Sequence, residues 1–133
     1  MKLESKIGTI KSTDEKVYNF LTDFDNFKNL IPEDKISNWE NHTDHCKFTV
    51  DGVGEVGVKI LEKEPYKLIK LTEIDNSRFN FFFWVQLKQV AENDTKIKLT
   101  LQTELNIVLQ TMAKKPLQQF LDTLVDQIGK MSF

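Results

Sequence analysis

From Lys35 to Leu105 the chain reads as an almost unbroken series of strand patterns, and one amphipathic helix, about Ile107 to Met131, follows them. That order constrains the fold more than any other feature. Consecutive antiparallel strands make one sheet, and a single helix laid across a curved sheet covers its apolar face and can enclose a pocket. Met112, Pro116, Leu117, Phe120, Leu121, Leu124, Val125, Ile128 and Met131 recur at helical spacing, while Lys114, Lys115, Gln118, Gln119, Asp122, Asp126 and Lys130 fill the other side. Pro116 lacks an amide proton, so it either starts a second helical segment or bends the first around what lies beneath.

The strand candidates are Lys35 to Glu40, Cys46 to Asp51, Glu55 to Lys63, Lys67 to Ile74, Phe79 to Val90 and Thr95 to Leu105. The breaks between them are short and rich in Asn, Asp, Gly, Ser and Pro, so successive strands pair as hairpins in a meander. In the last strand Ile97, Leu99, Leu101, Thr103 and Leu105 share one face and Lys96, Lys98, Thr100, Gln102 and Glu104 the other, so one face is buried and one wet. On the strand before it, Phe81, Phe83, Val85 and Leu87 form the matching inner set, which leaves Phe82 and Trp84 facing out. Ahead of the meander, Leu3, Ser5, Ile7 and Thr9 alternate with Lys2, Glu4, Lys6 and Gly8 as a first strand. Ser12 or Thr13 then caps a helix that has Asp14 and Glu15 in its first turn and Val17, Phe20, Leu21 and Phe24 at helical spacing. A second short helix covers Asp25 to Leu30, and Pro32 stops it.

The 133 residues suit one domain, spanning 1–133, with one core. Ten Phe, two Trp and two Tyr are more aromatic bulk than a small core usually needs, and the set Phe24, Phe27, Trp39, Phe48, Phe81, Phe83 and Phe120 reads either as core or as the lining of an apolar pocket. A formal charge of −2 and Arg78 as the only arginine argue against nucleic acid as a partner. Cys46 alone cannot form an internal disulfide, and Lys2, Glu4 and Lys6 interrupt any apolar run at the start, so the simplest location is the cytoplasm. No apolar stretch is long enough to span a membrane.

Strand, two short helices, six antiparallel strands and a long last helix is an α+β order, and it resembles the helix-grip fold of the START, polyketide cyclase and pollen-allergen-like superfamily along the whole chain. The nearest local match is Val17-Tyr18-Asn19-Phe20-Leu21-Thr22-Asp23-Phe24-Asp25-Asn26-Phe27-Lys28-Asn29-Leu30-Ile31-Pro32, which looks like that superfamily's opening of helix, aspartate, short helix and proline. The resemblance implies a curved seven-stranded sheet gripping the last helix around a cavity. Its members include lipid carriers, hormone receptors, cyclases and chaperone activators, so the fold does not choose the function.

Three patterns carry less than they spell. Gly52-Val53-Gly54-Glu55-Val56-Gly57 writes a dinucleotide fingerprint, but Val56, Val58 and Ile60 continue with strand period where the fingerprint needs a helix; it reads as a hairpin that, in the resembled fold, can border the cavity entrance. His42, Asp44, His45 and Cys46 have zinc-ligand chemistry, yet four residues leading from one turn into a strand point in alternating directions, so a solvated turn is the better reading and no metal is expected. Glu73, Arg78 and Thr103 are the weak candidates for catalysis: Glu73 with Arg78 would make a polar pair at a cavity mouth, and Thr103 could orient a ligand but lacks an activating base.

The leading expectation is a non-enzymatic binder or carrier of a hydrophobic, aromatic or lipid-like small molecule, needing no cofactor. Its site would be lined by Phe24, Phe27, Trp39, Phe48, Val58, Phe81, Phe83, Leu99 and Leu101 from the sheet and the short helices, and by Leu109, Met112, Phe120, Leu124 and Ile128 from the last helix. The alternatives are a cyclase- or hydrolase-like enzyme, and an interaction module using Phe82 and Trp84, which would also make a weak homodimer rather than a monomer unsurprising.

Overall fold

The computed structural model describes residues 1–30, 36–50, 54–74, 80–131 and 133. Eight strands form one antiparallel sheet: β1 (Lys2–Glu4), β2 (Gly8–Ile10), β3 (Ile36–Asn41), β4 (His45–Val50), β5 (Gly54–Glu64), β6 (Leu68–Glu73), β7 (Phe81–Ala91) and β8 (Asp94–Thr103). The order is β1-β8-β7-β6-β5-β4-β3, with β2 also on β8, so the meander expected from the turns is the one formed. Helix α1 (Asp14–Leu21), a 3-10 turn (Phe24–Asn29) and helix α2 (Ile107–Lys130) complete the α+β architecture. Gly52, Val53, Pro32, Arg78 and the turn Asp75-Asn76-Ser77 lie outside the described residues.

The single first strand expected from alternation is two strands out of phase. β1 pairs Leu3 with Leu101 and β2 pairs Thr9 with Lys96, a register offset of one residue between them. A one-residue slip reverses the faces, so Leu3 and Ser5 are buried, Ile7 is 68% exposed and Ile10 is buried completely. Ser5 holds the break: its amide donates to the Leu99 carbonyl and its hydroxyl accepts from the Leu99 amide, both at 2.8 Å.

The turns follow backbone chemistry. Tyr66 and Asn93 take positive φ in the hairpins β5–β6 and β7–β8. Asn38 does so inside β3, where the register shifts between Ser37 and Glu40 and the bulge turns Trp39 onto Phe48. Thr13, not Ser12, caps α1, accepting from the Lys16 amide, while Ser12 is buried and its carbonyl accepts from the Thr95 hydroxyl at 2.8 Å.

The core lies between the inner sheet face and the helices. α2 packs on β1, β2 and β8, α1 on β7 and the 3-10 turn on β3. Gly8 sets the distance between α2 and β2: a Cβ there would stand 2.3 Å from Val125 Cγ1. Polar contacts hold the same half of the helix. The Lys6 ammonium pairs with Asp126 at 2.7 Å, the Lys6 amide donates to Asp122 at 2.8 Å, and the Gln118 side chain donates to the Glu4 carbonyl at 2.8 Å. Asn106 caps the start, accepting from the Leu109 amide, and α2 continues through Pro116.

Candidate functional site

The inner face is continuous across the sheet because the registers line up. Phe48 pairs with Val56 and Cys46 with Val58 across β4–β5; Leu71 pairs with Phe83, and Phe83 with Leu101, across β6–β7–β8. Two grades of packing exist on this face. Ile69, Ile97, Leu99, Leu121 and Val125 are sealed, at 0–2% exposure. The least completely buried apolar side chains of the core are Phe81, Leu124, Val56, Val58 and Phe48, at 7–9%. Beside them Phe27, Trp39, Phe83, Leu101 and Phe120 are half-buried and pack against the core. Further partly buried apolar side chains pack against the core elsewhere, among them Met1, Phe20, Ile36, Ile60, Leu117, Met131 and Phe133. Trp39 stacks on Phe48 with ring centres 5.2 Å apart, and Phe24 meets Phe27 edge-on at 4.9 Å.

Phe24, Leu99 and Ile128, expected among the lining residues, are closely buried at 4%, 1% and 3%. Leu109 and Met112, also expected to line the site, are 47% and 70% exposed. Helical phase is the reason: the buried stripe of α2 is Leu121, Leu124, Val125 and Ile128, and at 3.6 residues per turn Leu109 and Met112 lie about 110° and 170° from its centre. Gln110, half-buried, takes the inward phase in the first turns instead.

The polar candidates are committed to the backbone. Glu73 stands at the β6 end of the inner face, opposite Val58, and its Oε2 accepts from the Phe81 amide and lies 2.9 Å from the Thr72 hydroxyl. Burial pushes the Glu73 carboxyl up, but those hydrogen bonds, its own amide and the charge of Lys59 outweigh it and leave the pKa below the usual value. A carboxylate so held is a weak base. Thr103 is buried, and its hydroxyl donates to the Asn80 carbonyl at 3.0 Å. Arg78 lies outside the described residues, so Glu73 has no Arg partner among those described.

Cys46 is fully buried on the inner face, and burial pushes its thiol up to about 12. His45, next along the strand, is half-buried, stacks on His42 at 4.4 Å and holds Asp44 at 2.7 Å. The two positions face opposite ways, and among the described residues no group of three or more His, Cys, Asp or Glu is placed to hold a metal. On the outer face Phe82 is 39% exposed, and the Lys70 ammonium sits over both its ring and that of Trp84, 4.6 and 5.4 Å from their centres. The outward pair thus packs cross-strand against a lysine, a role its register beside Lys70 makes available, with Phe82 still exposed.

Together these features define a helix-grip protein: a meander sheet with its inner face turned to a long last helix, in the START-like fold. No family model and no curated protein matches the sequence. Solved structures do match in shape. The chain is similar to the protein XoxI from Bacillus cereus, with TM-score 0.75 and 9% identity over 97% of this chain and 93% of that one. It is similar to a START superfamily protein from Mycobacterium smegmatis, with TM-score 0.69 and 11% identity over 98% and 99%. A conserved protein from Geobacillus kaustophilus gives TM-score 0.74 and 16% identity over 98% and 93%. At such identities the likeness establishes the fold. Among the described residues no helix is long and apolar enough to cross a membrane.

Proposed function

We propose that this protein binds or carries a hydrophobic or aromatic small molecule between the inner face of the sheet and α2. One observation carries the reading: Phe48, Val56 and Val58, among the least completely buried side chains of the core, are neighbours across β4 and β5, and the half-buried Trp39 stacks on Phe48. Such a run of apolar and aromatic side chains on the inner face of a helix-grip frame is the kind of lining such a ligand needs. The driving force is apolar burial, and a ligand covering about 300 Å² gains several kcal/mol before ordering costs.

The enzyme reading has less support. Glu73 and Thr103 spend their hydrogen-bonding capacity on Phe81, Thr72 and Asn80, which suits structural roles. Native mass spectrometry of the purified protein, with the organic extract compared against a denatured control, tests the carrier reading. A retained adduct whose occupancy falls in Phe120→Ala supports it. A protein that takes up no apolar fluorophore, such as anilinonaphthalene sulfonate, and carries no adduct refutes it.

A further inference from the structure

The first turns of α2 present an apolar face to solvent: Ile107, Val108, Leu109 and Met112 are 81%, 68%, 47% and 70% exposed. Val108, Met112 and Leu109 fall within about 100° of one another around the helix and leave on the order of 350 Å² of surface, within the range for a monomer's largest patch, with Ile107 flanking them. This face cannot simply roll inward. The second half of α2 is fixed by Lys6 to Asp122 and Asp126 and by Gln118 to the Glu4 carbonyl, and Gln110 occupies the inward phase, its side chain donating to the Leu105 carbonyl at 2.7 Å.

Charge selects the occupant. From Leu105 to Leu121 the only charged residues are Lys114 and Lys115, in a chain whose net charge is −2. Both lysines are exposed. On the helix surface Lys115 lies about 20° from Val108, at the border of the apolar sector formed by Val108, Met112 and Leu109. Lys114 lies about 165° from the centre of that sector, so Lys115 is the charge beside it; a second copy of the chain would set two such lysines around one apolar contact, whereas an anionic lipid surface accepts the apolar side chains and neutralises Lys115 at once. We propose that the first half of α2 docks on an anionic lipid surface, with Val108 and Met112 entering the acyl boundary and Lys115 at the headgroups. This docking does not depend on what the inner face binds.

Co-flotation with vesicles tests it, using the full chain with phosphatidylcholine alone and with phosphatidylcholine mixed with phosphatidylglycerol. The expected result is binding to the mixed vesicles that weakens with added salt. Met112→Glu and Val108→Glu, both surface changes, should each cut it by at least about tenfold, and Lys115→Gln by about fivefold. Trp84→Ala, on the outer sheet face, should leave it unchanged. No binding to either vesicle, equal binding to both, or binding that Met112→Glu leaves intact overturns the proposal. So does a dimer in sedimentation velocity that Met112→Glu dissolves, since a second copy would then own the face. Vesicle binding is read separately from adduct mass, so its failure is distinct from failure of the carrier reading.

Discussion

Gly8→Ala is the sharpest probe of how α2 is seated. The added Cβ would meet Val125 Cγ1 at 2.3 Å and Ile97 Cγ2 at 3.1 Å, far inside van der Waals contact with the first. Val125 cannot turn aside easily, because a β-branched side chain in a helix has one strongly preferred rotamer, and Val125 is 2% exposed. The helix must therefore lift, or the rotamer must strain, and such overpacking costs about 1–3 kcal/mol. For a domain of this size each kcal/mol lowers Tm by roughly 3–5 °C. Urea unfolding of Gly8→Ala, Val125→Ala and the double variant separates the terms. Val125→Ala leaves a cavity and is destabilising alone, yet it removes the methyl that the new Cβ strikes. The double variant should then be more stable than additivity allows, by on the order of 1 kcal/mol. Full additivity, or a neutral Gly8→Ala, would show that close approach of helix and sheet at this point is not what seats α2.

Three further outcomes follow from the same structure. Cys46, buried and with its thiol raised to about 12, should be inert to a thiol reagent at neutral pH in the native protein and should react on unfolding in urea; prompt native reactivity would contradict its placement. Glu73 has a folded pKa below its ordinary value, so its contribution to stability is full above the ordinary carboxylate range and is lost as pH falls through the lowered folded value. Glu73→Gln should thus lose stability at neutral pH and converge with wild type in acid; parallel pH profiles would remove that role. Thr95→Val deletes the buried hydrogen bond to the Ser12 carbonyl and leaves that oxygen unpaired, costing about 1–3 kcal/mol by urea titration, and an unchanged midpoint would mean the bond contributes nothing.

Much of the architecture was legible in the chain because the signals are local. Strand alternation and turn residues fix which segments extend and where they reverse, and consecutive hairpins leave little freedom in the order of the sheet. The faces of β7 could be read for the same reason: once Leu99 and Leu101 point inward, antiparallel pairing with Val85 and Phe83 carries the phase across. The capping of α1, its acidic first turn and the helical stripe from Leu117 to Ile128 are equally matters of nearest neighbours.

What the sequence could not determine depends on contacts between segments far apart in the chain. The offset between β1 and β2 comes from Ser5 bonding to Leu99, ninety-four positions away, and it sends Ile7 out where simple alternation had it share a face with Leu3. The seat of α2 is set by Gly8, Lys6 and Glu4 meeting Val125, Asp126, Asp122 and Gln118. Periodicity by itself gave the helix an apolar face but not the rotation at which it is held, so Leu109 and Met112 lie outside while Leu124 and Ile128 lie within. Hydrophobic pattern defines which residues seek burial; only the packed sheet decides which of them obtain it.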